Sequence, residues 1–420
     1  MATWTRKAGL FLFFSIISLI FGLILPDFQM IILALLLFTF FLLVLIIPRP
    51  MITVKKKISD NTMFEDGDLE VNLQLTKTES GYGSIEVYDR IPVYSELTNG
   101  YNCMIFNPEV EQRLDYNAKF PLRGYYSIGP TRVRITDHFN LFYEDQILIE
   151  KEPITVFPEV TGIKDFKFKS KKNIHFPGDF LTTQAGSSNE FYHIRDYIKG
   201  DPFKKINWKV YARKRELMIN EYEKENICDS FLFIDARAIS NIGTLKENTL
   251  EYGIKLSLGL AHYLILRRNQ VGVVVYNDRI QMVPPKPGMR QFNEILSFLT
   301  GVYPRGWLDL NTAINYATPY LKSKTTIIIF SILDYDQSFL NATQLLAAQD
   351  FKIILITPSA VEFELNAVNY DGPMEKVNLT KLSKQCYLSE LRGLGVKVIE
   401  YRPEENIGDV LDDISQNILR

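Results

Sequence analysis

The chain has 420 residues, of which 46% are hydrophobic and 23% are charged, and its formal net charge is −2. This length predicts more than one domain, and the composition is typical of folded protein. The near-neutral charge excludes an overall basic surface of the kind that binds nucleic acid. The three cysteines lie far apart in the sequence, which excludes a disulfide framework and a cysteine-rich metal site.

Two apolar, uncharged runs open the chain, at residues 8–25 and 28–47. Each is close to the roughly 20 residues that a helix needs to cross a bilayer core. Between them, Pro26 and Asp27 predict a helix stop and a tight polar turn. Residues 1–50 are therefore predicted to be a membrane anchor of two transmembrane helices.

Basic residues flank both runs of this anchor. Arg6 and Lys7 precede the first run, and Arg49 and the lysines at 55–57 follow the second. Because positive charges favour the cytoplasmic side, both termini and the soluble region are expected in the cytoplasm, at the cell membrane.

Residues 51–160 alternate apolar and polar side chains over short stretches such as 69–75 and 84–88. Turn residues, for example at 65–67, separate these stretches. Such short alternating segments predict an all-β, immunoglobulin-like sandwich. The next stretch, 161–225, is rich in lysine and arginine and is predicted to be a linker segment with one helix around Trp208.

In residues 226–420, apolar strands alternate with amphipathic helices, which predicts a doubly wound α/β domain with a parallel sheet. The whole chain is thus expected to be a multi-domain membrane protein. Strands are predicted at 231–235, 271–276, 326–331, 352–357 and 396–400, and helices at 252–267, 290–299, 310–321, 340–348 and 379–394.

The first of these strands ends at Asp235, and ligands of doubly wound folds collect at the carboxyl ends of strands. The von Willebrand factor A fold carries Asp-x-Ser-x-Ser here, whose oxygens bind Mg²⁺. In this chain Arg237 and Ile239 stand in the two serine places, so no metal and no cofactor are expected. The degenerate metal-site loops, which we predict to bind a partner instead, comprise Asp235, Arg237, Ile239, Asp309, Ser331 and Asp334.

Arg237 has two interpretations. Its guanidinium could fill the vacated cation position and pair with Asp235 or with a carboxylate of a partner. Alternatively, it is a solvated loop residue whose ion pairs contribute little.

Residues 190–213 are dense in aromatic and basic side chains, a combination also found in proteins that bind single-stranded nucleic acid. Acidic neighbours such as Asp196 and Asp201 favour internal pairing instead, so nucleic acid is not expected as a partner. Ile206 and Trp208 are predicted to be packing residues.

Catalytic signatures are missing from the sequence. It contains neither a Gly-x-Ser-x-Gly nucleophile elbow nor a Gly-x-x-x-x-Gly-Lys phosphate loop. The chain is therefore predicted not to be an enzyme, and no small-molecule substrate is expected.

A set of residues within the stretch 190–213 forms a motif: Glu190, Phe191, Arg195, Tyr197, Gly200, Asp201, Ile206, Asn207, Trp208, Lys209, Ala212 and Arg213. In the order and spacing of these residues the chain resembles the prokaryotic domain-of-unknown-function 58 proteins. The phrases at 123–130 and 137–142 also resemble its sandwich. The resemblance implies a von Willebrand factor A-like C-terminal domain and action as an adaptor or chaperone-like partner of AAA ATPases of the MoxR group.

These observations favour a membrane-anchored protein-binding scaffold or adaptor with a MoxR-type ATPase partner. An outward-facing, adhesin-like binding protein is the alternative, and it requires the opposite membrane topology. An unrecognised enzyme is a third hypothesis, which a polar pocket with convergent His, Asp or Glu side chains would support.

Overall fold

The computed structural model of the chain describes residues 3–79, 81–107, 112–160, 191–199, 201, 203–222, 229–322, 325–333, 337–349, 351–368, 374–405 and 408–410. The chain forms two compact units. The first comprises Met1–Asn173, Thr244–Lys246 and Leu296–Tyr303, and the second comprises Ile174–Gly243, Glu247–Ile295 and Pro304–Arg420.

The first unit begins with a pair of apolar helices, α1 (Arg6–Ile24) and α2 (Phe28–Ile46), both long and apolar enough to cross a membrane. The predicted turn is present, and Asp27 caps α2 by accepting a hydrogen bond from the Gln29 backbone N–H at 2.9 Å. The helices approach closely where small side chains meet. The Ser15 hydroxyl donates to the Ala34 carbonyl at 3.0 Å.

Among the residues of this unit that the structure describes, twelve strands form the β part, which confirms the predicted all-β region. They pair in three sheets, with the orders β1-β11-β10-β5-β7, β2-β4-β8-β6 and β3-β12-β9. The strands are β1 (Thr3–Trp4), β2 (Met51–Ile58), β3 (Thr62–Phe64), β4 (Asp68–Glu79), β5 (Ser84–Asp89), β6 (Glu96–Gly100), β7 (Cys103–Phe106), β8 (Gln112–Lys119), β9 (Gly124–Ile128), β10 (Thr131–Thr136), β11 (Phe142–Ile149) and β12 (Glu152–Phe157).

The alternating side chains of β4 and β8 point into one apolar core shared with β5 and β10. A buried ion pair interrupts it: the Lys56 ammonium lies 2.8 Å from the Asp89 carboxylate, and both side chains are almost fully buried. The Tyr116 hydroxyl donates to Asp89 at 2.6 Å and the Thr131 hydroxyl at 2.8 Å. These hydrogen bonds satisfy a carboxylate that would otherwise be costly to bury.

The predicted linker segment contains a small antiparallel pair, β13 (Phe191–Asp196) and β14 (Met218–Tyr222), that the sequence did not suggest. Between them lies α3 (Trp208–Lys214), the predicted helix. Ile206 and Ile219 are buried and pair by an isolated bridge, so the prediction that Ile206 packs is confirmed.

The rest of the second unit is a six-stranded sheet with helices, in the order β17-β16-β15-β18-β19-β20. The strands are β15 (Asp229–Asp235), β16 (Gln270–Tyr276), β17 (Ile280–Lys286), β18 (Thr326–Phe330), β19 (Lys352–Pro358) and β20 (Lys397–Tyr401). The helices are α4 (Thr249–Leu266), α5 (Met289–Thr300), α6 (Leu310–Ala317), α7 (Gln337–Ala348), α8 (Ala360–Ala367) and α9 (Met374–Gly393). The residues of α5 from Leu296 onward belong to the first unit.

Helices cover both faces of this sheet. Phe231 and Phe233 point to one face, where residues of α6, α7 and α9 pack. Because strand side chains alternate, Leu232 and Ile234 point to the other, and α4 contacts β15 and β16. The sheet is mixed rather than purely parallel, since β17 pairs antiparallel with β16 at the edge. That strand was missed because it contains Pro284 and Pro285, which only an edge strand tolerates.

Candidate functional site at the carboxyl edge of the central sheet

The candidate site lies where β15, β16 and β18 end. In the parallel register Asp235 pairs with Tyr276, and Ile234 pairs with Phe330. Ser331, the next residue after β18, therefore lies beside Asp235. We call the end of the sheet formed by these three strand tips the carboxyl edge.

A bidentate ion pair occupies the centre of the carboxyl edge. The guanidinium of Arg237 donates from Nε to Oδ1 of Asp235 at 2.9 Å and from Nη2 to Oδ2 at 2.8 Å. The backbone N–H of Arg237 also donates to Oδ1, at 3.2 Å. Only 7% of Arg237 and 4% of Asp235 are exposed. Of the two interpretations of Arg237, the ion pair with Asp235 is confirmed and the solvated loop residue is wrong.

Ser331 and Tyr276 complete the surroundings of the carboxylate. The Ser331 hydroxyl donates to Oδ2 of Asp235 at 2.8 Å and accepts from the Leu333 backbone at 3.3 Å. The Arg237 guanidinium lies 5.8 Å from the centre of the Tyr276 ring. Burial raises the pKa of Tyr276 well above its usual value, and the negative charge of Asp235 adds to this effect. Tyr276 is therefore neutral, and the Asp235 carboxylate is neutralised by Arg237.

The donor set does not fit Mg²⁺. An octahedral cation needs several free oxygen ligands, but both oxygens of Asp235 are engaged by the guanidinium of Arg237. Within the described part of the chain, no group of three His, Cys, Asp or Glu side chains could hold a metal ion.

A small pocket adjoins the ion pair and is lined by Asp235, Ser240, Thr249, Ser331 and Tyr401, among others. The space in which the centre of a water molecule can lie is about 10 Å³. That is space for about one water molecule, far less than a metabolite occupies. The Ser240 hydroxyl is buried without a hydrogen-bond partner among the described residues, so it is the polar group that such a water would satisfy.

The loop that precedes α6 returns to the same edge. The Gly306 carbonyl accepts from the Ala238 backbone at 3.2 Å, and the Leu308 N–H donates to the Asn277 carbonyl at 3.0 Å. Gly306 has φ +69°, and a Cβ there would lie 2.3 Å from the Asp278 backbone, so only glycine fits. The next residue, Trp307, is 72% exposed.

Trp307 therefore lies on the solvent side of the carboxyl edge, near an exposed ion pair between Arg305 and Asp278 at 3.1 Å. The sequence-based prediction did not include it. A tryptophan between a turn glycine and Asp309, a helix-capping residue, was the signal that could have identified it.

The remaining predicted loop residues are not brought into the ion pair. Ile239 is half-buried in the short turn after Arg237. Asp309 caps α6, accepting hydrogen bonds from the backbone N–H and the hydroxyl of Thr312. Asp334 lies outside the described residues.

The predicted family-motif residues lie elsewhere in the second unit, around β13, α3 and β14. Asn207 caps α3 by accepting from the Val210 N–H at 3.1 Å, and Asp201 accepts from the Ile198 N–H at 2.9 Å. Trp208 is 59% exposed, so the prediction that it is a packing residue is wrong. On this short helix the Trp208 ring meets the Tyr211 ring edge-on. Lys209, Ala212 and Arg213 are exposed as well.

Three other motif residues, Phe191, Arg195 and Tyr197, lie in or just after β13. Glu190 and Gly200 lie outside the described residues.

A family model agrees with the sequence resemblance over part of the chain. Residues 193–358 match the model described as "Protein of unknown function DUF58". This match includes most of the motif segment and the strands β15 to β19. No curated protein matches the chain.

Some solved structures align with parts of the chain. The CARDB domain of a Pyrococcus furiosus protein is 16% identical over 26% of this chain and 96% of its own, with a TM-score of 0.18. The cupredoxin domain of amoB from Nitrosocaldus yellowstonii is 11% identical over 30% of this chain and 97% of its own, with a TM-score of 0.21. A cohesin from Archaeoglobus fulgidus is 11% identical over 25% of this chain and 91% of its own, with a TM-score of 0.18.

Proposed function

We propose that this protein is a membrane-anchored protein-binding scaffold or adaptor whose partner is an AAA ATPase of the MoxR type. In this proposal the α/β part of the second unit is von Willebrand factor A-like and binds through its carboxyl edge. The observation that carries the proposal is the buried, bidentate pair of Arg237 with Asp235 at the same edge as the exposed Trp307.

The ion pair supports recognition without a metal. In a metal-dependent site, a bound Mg²⁺ takes oxygen ligands and usually keeps several water molecules, whose positions are open to oxygen atoms of a partner. Here Arg237 holds both carboxylate oxygens and is itself buried, so neither charge is presented to solvent. The pair acts as a fixed support for the loops above it rather than as a contact with the partner.

Trp307 is the side chain on this edge best suited to anchor a partner. Tryptophan and arginine are enriched among the residues that contribute most to protein interfaces. Trp307 and the Arg305 side chain are exposed, and the backbone beneath them is fixed by hydrogen bonds to Ala236, Ala238 and Asn277. A rigid, exposed aromatic side chain loses little conformational freedom on binding.

The anchor supports a position at the cell membrane with the soluble parts in the cytoplasm, where an ATPase partner would be found. The two apolar helices have the required length, and the basic residues on both flanks favour this orientation. The match to a family of unknown function is compatible with the adaptor role that the sequence resemblance implies.

Co-purification from detergent tests the proposal, with Trp307→Ala as the variant. The matched control is Tyr320→Ala, an aromatic side chain of 46% exposure that follows α6 at the opposite end of the sheet. Nearby, Lys322 pairs with Asp229 at the start of β15, which places that end away from the carboxyl edge. We expect the wild type and the control to recover the ATPase and Trp307→Ala to lose it. Equal recovery by all three would refute binding at this edge.

A further inference from the structure

The first unit contains an aromatic loop, residues 137–142, between β10 and β11, which packs on the anchor helices. Leu141 and Phe142 share a buried cluster with Ala8, Phe41 and Val44. The Phe142 ring lies 5.1 Å from the Phe41 ring. The β strands of this unit are therefore attached to the helices by side-chain packing as well as by the chain itself.

The N-terminal residues reinforce this attachment. β1 adds to the edge of β11, pairing Trp4 with Phe142. The Thr5 hydroxyl, which also caps α1, lies 2.8 Å from the Asn140 carbonyl, and the Thr5 N–H donates to the Leu141 carbonyl at 3.0 Å. The start of α1 and the loop are thus held at one level.

The tip of the loop reaches down the side of the helix pair. The Phe139 ring lies 5.0 Å from the Phe40 ring, edge to face. Phe40 is six residues before the end of α2, which corresponds to about 9 Å along the helix axis. Each helix of 19 residues is about 28 Å long, close to the thickness of a bilayer core. The contact therefore lies well inside the length of the spans.

Charged and polar groups mark the level of the lipid headgroups above this contact. Arg6 begins α1, and the Arg49 guanidinium lies 5.8 Å from the centre of the Phe142 ring. Phe142 is thus near the headgroup level and Phe139 lies on the hydrocarbon side of it. Phe139 is 46% exposed in the protein alone, and exposing a phenyl ring to water is unfavourable.

Several backbone groups of the loop are hydrogen-bonded, which lowers the cost of placing them next to lipid. The buried carboxylate of Asp137 accepts hydrogen bonds from the N–H groups of Phe139 and Phe142. The Asn140 N–H donates to the Asp137 carbonyl at 3.1 Å, and the Asp137 N–H donates to the Phe142 carbonyl at 3.2 Å. Asn140 has φ +59°, a left-handed conformation that asparagine tolerates better than most residues.

We propose that the 137–142 loop is inserted into the membrane surface, with the Phe139 ring among the lipid acyl chains beside α2. The occupant of the exposed side of Phe139 is phospholipid, because the ring continues an apolar surface that belongs to the helices. This inference rests on the proposed membrane anchoring. The insertion would bring the β part of the first unit into direct contact with the bilayer through this loop.

Fluorescence quenching in the full-length protein tests the insertion. Trp4, Trp208 and Trp307 are replaced by phenylalanine, and a single tryptophan is introduced by Phe139→Trp. The protein is reconstituted in nanodiscs of phosphatidylcholine with or without bromine on the acyl chains. We expect brominated lipid to remove most of the Phe139→Trp emission.

Two further single-tryptophan variants make the outcome decisive. Tyr101→Trp precedes β7, and the strand register puts Cys103 of β7 level with Tyr88 of β5, the end of the sheet opposite the loop. It is expected to keep its emission. Leu36→Trp, in the middle of α2, is expected to be quenched if the helices span the bilayer.

Quenching of Leu36→Trp without quenching of Phe139→Trp would overturn the inserted loop and leave the anchor intact. If Phe139→Trp became quenched only when the protein was diluted, the Phe139 surface would belong to a contact with a second copy of the chain. If Leu36→Trp is not quenched either, the membrane anchoring itself is wrong.

Discussion

The guanidinium of Arg237 and the carboxylate of Asp235 form a bidentate, buried ion pair at the end of the first strand of the central sheet. Two charges in this position neutralise each other, and removing one leaves the other buried and uncompensated. Breaking a buried pair in this way typically costs about 3–5 kcal/mol.

Arg237→Met should therefore lower the thermal unfolding midpoint of the detergent-solubilised protein. The double variant Arg237→Met/Asp235→Leu should recover most of the loss, because no isolated charge remains. If the single variant is as stable as the wild type, the pair does not hold the edge together.

The sandwich offers an independent test with the pair Lys56 and Asp89. Lys56→Met leaves the Asp89 carboxylate buried, and we expect a loss of about 3–5 kcal/mol in unfolding free energy. The control is Asp145→Asn, which breaks the exposed pair with Arg134 at 2.7 Å and should cost no more than about 1 kcal/mol. Denaturant titration measures both. Equal losses would contradict the distinction between buried and exposed pairs.

His262 should make the second unit sensitive to mild acid. Burial lowers the pKa of His262 from its usual value of 6.5, and its ring packs 5.1 Å from the Phe292 ring. As the pH falls below 6.5, the unfolded chain takes up this proton first, so stability falls. His262→Phe should have a flatter dependence of unfolding midpoint on pH. Identical slopes for the two proteins would remove His262 from the explanation.

Thiol labelling tests the cytoplasmic orientation. Cys103 in the first unit and Cys386 in the second are both exposed. With Cys228 changed to serine, a membrane-impermeant maleimide should label neither in intact cells and both after permeabilisation. Labelling of intact cells would instead support the outward-facing, adhesin-like alternative.

Local sequence patterns predicted much of the fold because the responsible interactions are local. The apolar helices, the alternating strand β4 and the continuous apolar strand β15 each carry their own periodicity. The elements that were missed depend on distant partners. β13 pairs with β14 across the α3 helix. The short helix α8 packs its Phe363 ring against the rings of Tyr252 and Tyr401, which are distant in sequence.

The candidate site also contains some contacts that are local in sequence and others that depend on distant residues. Asp235 and Arg237 are two residues apart, so their pairing could be argued from the motif alone. Tyr276 and Trp307 reach the carboxyl edge only through the sheet register and the loop hydrogen bonds to Ala238 and Asn277. The exposure of Trp208 was equally hidden, because a hydrophobic residue next to a buried isoleucine resembles a core position in sequence.

The dependence of stability on Mg²⁺ tests the central claim most directly, since we propose that the Arg237 guanidinium stands where a cation would bind in a metal-dependent relative. The unfolding midpoint of the wild type should be the same in Mg²⁺ and in a chelator. Arg237→Ser/Ile239→Ser restores the Asp-x-Ser-x-Ser pattern and should be stabilised by Mg²⁺, because a ligand that binds only the folded state raises its stability. Stabilisation of the wild type by Mg²⁺ would contradict the account.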